Sequence, residues 1–399
     1  MTQSVVPRRF VFLFLSVGLV SCGGGSGSSM SSGTGTNGGT GTGGSGSGSV
    51  APTSGEYVWE TGDAQFNLSY ATINTTTGAI SSPAVAAGPA GNATGYPAIA
   101  IAPGDNFLYS FYDSFNEVES FQMSGPGLEL TGPVSTQGVA YENSMTMAPG
   151  GKFLYVFELG TGIIQVLSVD TSTGALSLGP AITVSGSPDF RTGVIDSSGQ
   201  FLYVNDLTGG RIFAFQINSS DGSLTQISGS PYTLPGAALP QMQVIGGGGK
   251  FLYVDISSGQ PEESAGIDVY SINGTNGVLT LVSGSPFPTA QAEGSWMCTD
   301  PTGTFIYLAD FPSGEIEAFS ASGTSGALSP VQGSPFDGPA DAGNAVVDPS
   351  GKYLYVTDYE SSSIYGFSRN QTTGALTALS GSPFPSVPQP LSLTMMSVQ

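Results

Sequence analysis

In this 399-residue chain, the side chains able to move a proton or polarise a carbonyl gather in one short span. Asp189 and Arg191 stand in Pro188-Asp189-Phe190-Arg191, and Asp206 and Arg211 bracket Asp206-Leu207-Thr208-Gly209-Gly210-Arg211. A carboxylate beside a guanidinium can accept a proton from water while the guanidinium polarises a carbonyl or forks a carboxylate or phosphate. The competing reading of the second segment is an Arg211–Asp206 ion pair that only orders a loop. Glu142, Glu293 and Asp341 recur in the same sequence context as Asp189, with Trp296 and Asn344 close by as binding groups. A ring of Asp189, Glu293 and Asp341 carries the oxygen donors a hard cation such as Ca²⁺ prefers, although no tight metal loop is visible. The alternative is a solvated acidic rim. The chain contains no histidine, which removes the side chain best matched to general-base work near neutral pH. A carboxylate can replace it only if burial or a like-charged neighbour raises its pKa, and Asp189, beside Asp206, is the best placed. Cys298, in Ser295-Trp296-Met297-Cys298, reads as a small buried hydrophobe rather than a nucleophile.

The elements that must position these residues are written as a repeat. Gly351-Lys352-Tyr353-Leu354-Tyr355-Val356 has relatives at Gly151-Lys152-Phe153-Leu154-Tyr155-Val156, Gly199 to Val204, Gly249 to Val254 and Gly303 to Leu308, with weaker copies at Tyr109 and Tyr57. From Tyr57 to Tyr109, Tyr155, Tyr203, Tyr253, Tyr307 and Tyr355 the steps are 52, 46, 48, 50, 54 and 48 residues. Seven units of about fifty residues, each holding short β-rich runs between Gly, Pro and Asp turns, predict an all-β seven-bladed propeller with four antiparallel strands per blade. We name the strands A to D from the channel outwards. The first unit lacks strand A, and Leu391-Ser392-Leu393-Thr394-Met395-Met396 has no strand B after it, so residues 391–396 should close the ring inside the first blade. In this topology the D-to-A and B-to-C loops share one mouth of the channel. Asp189, Glu293, Asp341 and Glu142 fall in the former, and Glu60, Glu158, Asp206, Asp310 and Asp358 in the latter. All three lysines, Lys152, Lys250 and Lys352, fall in A-to-B turns at the other mouth.

The repeated Phe-Leu-Tyr-Val, the Thr-Gly-Ala-Leu turn and the recurrent Gly-Ser-Pro-Phe resemble the lactonase family of seven-bladed propellers (the YVTN-repeat, 6-phosphogluconolactonase-like group) over residues 55–399. The resemblance implies lactone hydrolysis. Asp206, Leu207, Arg211 and Ile212 match the family's Asp-Leu-Gly-x-Asp-Arg-Ile/Val motif. The chain departs from the family at Pro188-Asp189-Phe190-Arg191, where its members carry Pro-His-x-His.

Arg8-Arg9 and the apolar run Phe10 to Val20 have the form of a signal peptide over residues 1–21. Leu19-Val20-Ser21-Cys22 resembles a bacterial lipobox, which implies lipid attachment at Cys22 and a membrane partner at the cell envelope. Residues 22–54 are nearly all Gly, Ser and Thr and read as a flexible tether. With Cys22 acylated, Cys298 has no disulfide partner. A net charge of −21 opposes nucleic-acid binding, which needs clustered cations. The expectation is therefore a monomeric, lipid-anchored propeller without cofactor that binds a ligand or protein over its acidic mouth. The alternative is a lactone hydrolase with a carboxylate base.

Overall fold

Phe, Tyr, Leu and Val pack well on a pleated surface covered on both faces, and each Phe-Leu-Tyr-Val run forms a fully buried second strand of a sheet. The computed structural model describes residues 55–62, 68–87, 98–104, 107–112, 117–124, 127–135, 144–186, 188–257, 265–290, 295–311 and 313–398, all within one compact unit. The signal, lipidation and tether expectations for residues 1–54 lie outside them. Seven antiparallel sheets succeed one another, and each inner strand contacts the next until the last returns to the first. Blade four runs outward through Phe190–Ile195, Phe201–Asp206, Arg211–Ile217 and Leu224–Gln226.

The ring closes as the sequence requires. Pro390–Val398 pairs antiparallel with Gly55–Gly62, setting Met396 opposite Tyr57 and Leu393 opposite Glu60. The closing strand is slightly longer at both ends than residues 391–396.

The outermost strand differs from expectation. In blades four to seven it is two short pieces, such as Leu376–Ala378 and Phe384–Pro385, both paired to the third strand. Gly-Ser-Pro lies between the pieces, with cis bonds at Ser230-Pro231, Ser285-Pro286, Ser334-Pro335 and Ser382-Pro383. Where the strand breaks, the serine Oγ accepts the third strand's free N–H: Ala214 to Ser230, Val269 to Ser285, Ala318 to Ser334 and Gly366 to Ser382, at 2.9–3.1 Å. The motif thus substitutes a hydroxyl for a ladder bond, since an unpaired N–H inside a sheet is costly.

The other two motifs bolt blade to blade. Gly222, Gly277, Gly326 and Gly374 sit at φ of 71–78° or close to it, in turns of the Thr-Gly-Ala-Leu type, and a Cβ there would lie 2.3–2.6 Å from the leading phenylalanine of the preceding blade. The same glycines' carbonyls accept the tyrosine hydroxyls of that blade: Tyr155 to Gly222 at 3.0 Å, Tyr203 to Gly277 at 2.9 Å and Tyr307 to Gly374 at 2.8 Å. Only glycine supplies both the left-handed backbone and the absent side chain. Aspartates in the turns between first and second strands secure the remaining amides. Asp300 Oδ1 accepts the N–H of Thr304 and Phe305, both at 2.7 Å, and Asp196 Oδ1 those of Gln200 and Phe201.

Candidate functional site at the start of the blade-four inner strand

The inner strand of blade four pairs Phe190 with Asp206 and Gly193 with Val204, so a bulge carries Arg191 and Thr192 past a single partner residue. Asp189 precedes this strand. Its N–H donates to Asp206 Oδ1 at 2.9 Å, and its carbonyl accepts the N–H of Leu207 at 2.9 Å. Asp206 is fully buried. It also accepts Gly209 N–H at 3.1 Å, Arg211 Nε at 2.9 Å and Arg211 Nη2 at 2.5 Å. Arg211 lies over the Phe213 ring at 5.3 Å. The ion pair of the competing reading is therefore present, and both Asp206 oxygens are engaged in holding the 206–211 loop.

Asp189 is differently placed. Its Oδ1 is buried and has no hydrogen-bond partner. Burial, foremost, pushes its carboxyl above the usual aspartate range; Asp206 adds to the rise and Arg191 opposes it. A carboxylate with one oxygen unengaged, a raised pKa and a guanidinium beside it has the attributes of a general base paired with an electrophilic or anion-binding group.

The rest of the expected mouth is dispersed. Asp341 precedes the inner strand of blade seven as Asp189 precedes that of blade four, its carbonyl accepting Tyr359 N–H at 2.9 Å. Asn344, in the bulge of that strand, donates its N–H to Thr357 Oγ1 at 2.8 Å. Trp296 packs against the core between blades six and seven. These residues lie two and three blades round the ring from Asp189. Glu142 and Glu293 lie outside the described residues, and so does that part of the expected Ca²⁺ ring. Among the described residues no three His, Cys, Asp or Glu side chains converge as a metal would need.

The expected crowd of nine carboxylates at one face needs correction. Glu60, Glu158, Asp206, Asp310 and Asp358 are at most 4% exposed, so these five add no open acidic rim. They face inward because they satisfy loop donors: the Ser386 hydroxyl and Val387 N–H reach Glu60 Oε2, and Ser361 N–H reaches Asp358. Lys152, Lys250 and Lys352 are exposed in the turns at the opposite mouth. Cys298 packs against the blade-six and blade-seven core, and its surroundings push the thiol up to about 12, which leaves it neutral and unreactive.

A cavity of about 460 Å³ occupies the channel beyond the Asp189–Arg191 pair. Its walls are the later residues of five inner strands: Ile99 and Ile101, Met145 and Met147, Val194 and Ile195, Val244 and Ile245, with Thr146 and Thr299. The Ser144 hydroxyl donates to the Arg191 carbonyl and the Thr146 hydroxyl to the Gly193 carbonyl, each at 2.5 Å, so the cavity wall begins where the charged pair ends. Sequence reasoning followed charge and passed over this site. Its signal was the run of aliphatic and methionine residues in the inner strands, Ala98-Ile99-Ala100-Ile101 and Ser144-Met145-Thr146-Met147.

The family model described as "Lactonase, 7-bladed beta-propeller" matches residues 61–395. The chain belongs to the lactonase family of seven-bladed β-propellers. No curated protein matches this lactonase-family propeller by sequence. Among solved structures, it is similar to a Bacteroides fragilis protein provisionally described as a 6-phosphogluconolactonase, with 21% identity, a TM-score of 0.70, and 86% of this chain and 98% of that one covered. A Bacteroides uniformis protein of the same provisional description gives 18% identity and a TM-score of 0.71, covering 86% of this chain and 100% of that one. The periplasmic gluconolactonase of Pseudomonas aeruginosa gives 17% and 0.69, with the same coverage. At these identities the likeness shows the shared fold.

Proposed function

We propose that this lactonase-family propeller hydrolyses a lactone at the Asp189–Arg191 pair. The observation that carries the reading is the Asp189 carboxylate, with one buried, unengaged oxygen beside a guanidinium at the head of an inner strand. Family membership and the gluconolactonase among its structural neighbours support hydrolysis over the binding module expected from sequence. In this reading Asp189, ionised, takes a proton from a water that attacks the lactone carbonyl. Arg191 stabilises the oxyanion that forms. Collapse of the tetrahedral intermediate breaks the ring C–O bond, and the proton held by Asp189 passes to the leaving alkoxide, giving a hydroxy acid. Hydrolysis of a lactone panel by the purified protein, lost in Asp189→Asn and in Arg191→Ala, tests it. Turnover that survives Asp189→Asn would sink the assignment.

The second reading, binding without turnover, is favoured by the absence of any histidine from the chain. Saturable binding of a lactone that is recovered unopened would select it. In either reading we place the protein outside the cytoplasm on a lipid at Cys22. Cys22→Ala would then move it from the membrane to the soluble fraction.

A further inference from the structure

The two mouths of the ring differ in charge, and the chain enters the ring at one of them. Lys152, Lys250 and Lys352 stand exposed in the turns that lead into the second strands of blades three, five and seven. Among the described residues, the carboxylates with any exposure on that side are Glu56, Asp170 and Asp221. The last two sit in outer turns, where Ser172 and Ser223 donate to them through N–H and hydroxyl. Asp196, Asp300 and Asp348 are buried there against turn amides. At the opposite mouth Glu117, Asp189, Glu315, Asp337, Asp341 and Glu360 keep some exposure, against Arg191 and Arg211. Exposed charge is therefore close to balanced on the lysine side and clearly negative on the other. The described chain starts on the lysine side. Gly55 pairs with Val398, and burial, foremost, raises the Glu56 carboxyl, with Asp348 adding to the rise and Lys352 of the blade-seven turn opposing it. A six-residue second strand such as Phe201–Asp206 then carries the chain about 20 Å from that side to the acidic mouth.

We infer that the lysine-bearing face lies on an anionic lipid headgroup surface and the acidic mouth, with Asp189 and Arg191, faces away from it, an arrangement that rests on the lipid at Cys22. The Gly-, Ser- and Thr-rich residues 22–54 span roughly 30 Å as a coil. An anchor of that reach, joined at Gly55, brings the near face to the membrane with little stretching. Presenting the acidic mouth instead would use most of the reach in passing the side of the ring. Charge acts in the same sense. Within a Debye length of about 8–10 Å of an anionic surface, the lysines are attracted and the exposed carboxylates of the far mouth would be repelled. A substrate then approaches the Asp189–Arg191 pair from the aqueous side, unobstructed by lipid.

Quenching on vesicles tests this with the full chain, expressed with its signal and reconstituted in phosphatidylethanolamine and phosphatidylglycerol. A fluorophore is placed on Ser197→Cys, in the blade-four turn of the lysine side, or on Ser313→Cys, in a loop of the acidic mouth; both serines are exposed. The parent chain, whose Cys298 is packed against the core, serves as the labelling control. A nitroxide on the lipid headgroup should quench the Ser197 label severalfold more than the Ser313 label. Changing Lys152, Lys250 and Lys352 to Gln, or replacing phosphatidylglycerol with phosphatidylcholine, should narrow that difference. Equal or reversed quenching in a protein that floats with the vesicles overturns the orientation and leaves the lipid anchor standing. A difference that neither change alters overturns the anionic headgroups as the partner. A protein that does not float with the vesicles overturns both the anchor and the orientation.

Discussion

The Tyr355 hydroxyl donates to the Gly78 carbonyl at 2.7 Å, joining residues 277 positions apart across the seam between the last blade and the first. Both groups are buried, and Tyr353 adds a bond to the Thr76 carbonyl at 2.9 Å. Removing the hydroxyl strands a buried carbonyl, so Tyr355→Phe should cost about 1–3 kcal/mol in urea unfolding. Tyr253 provides an internal control: it is equally buried, but its hydroxyl has no partner. Tyr253→Phe should be neutral or mildly stabilising. Equal losses in the two variants would mean that the hydroxyl bond is not what bolts the blades.

Closure by the last strand predicts an asymmetry between the two ends. Pro390–Val398 supplies the inner strand of the first blade along the whole length of Gly55–Gly62. Truncation after Pro390 exposes that edge and opens the ring, whereas deleting residues 23–50 removes none of the described strands. The first should lower the melting temperature sharply and the second leave it within a degree or two of the parent, on the order of surface changes. Calorimetry on both variants decides. Matching melting curves would contradict a structural role for closure.

The two aspartates of the blade-four site should separate by assay. Asp206 is bonded on both oxygens and holds a loop, so Asp206→Asn should lower stability by about 2–4 kcal/mol through the stranded, partly buried Arg211. Asp189→Asn should leave stability nearly unchanged and abolish turnover. Because Asp189 acts as a base only when ionised, and burial raises its pKa, kcat/KM should rise with pH through a midpoint above the ordinary 3.8. A rate independent of pH from 4 to 8 would exclude it as the base.

Asp268 predicts a pH effect on stability. It is fully buried in the third strand of blade five, neither oxygen has a partner, and burial pushes its pKa up to about 6. The folded state thus holds the proton more tightly than the unfolded chain. The stabilising contribution is complete below about 3.8 and is lost as pH rises through about 6. At pH 7.5 the native protein carries an uncompensated buried charge, and Asp268→Asn should gain about 1–3 kcal/mol there and nothing near pH 4. Denaturant midpoints of the two proteins at both pH values give the answer. An equal difference at both would remove ionisation as the cause.

Much of the ring was legible in the sequence, for a physical reason. A unit that cannot bury its own sheet faces must stack on copies of itself, so a repeat of fixed period fixes the architecture, and unmatched ends fix the closure. Tyr57, without a strand before it, and Leu393, without one after it, contained that answer locally. The lysine-bearing face followed from the same register.

Other features depend on which groups meet across blades, and no single repeat contains that. The outer strand breaks because Ser382 can replace a ladder acceptor for Gly366, a contact 16 residues away that strand propensity does not encode. Asp189 and Asp206 look alike in sequence, but one is saturated by Arg211 and backbone amides while the other keeps a buried oxygen unengaged. The acids that seemed to crowd a mouth turn inward to loop donors. The cavity exists only once five separate inner strands converge, each adding one to three ordinary residues. By itself the sequence determined the sevenfold ring and the position of Asp189 in it. Tertiary structure decided which carboxylate could still react and what lay beneath it, because burial and hydrogen-bond pairing belong to neighbours far apart in the chain.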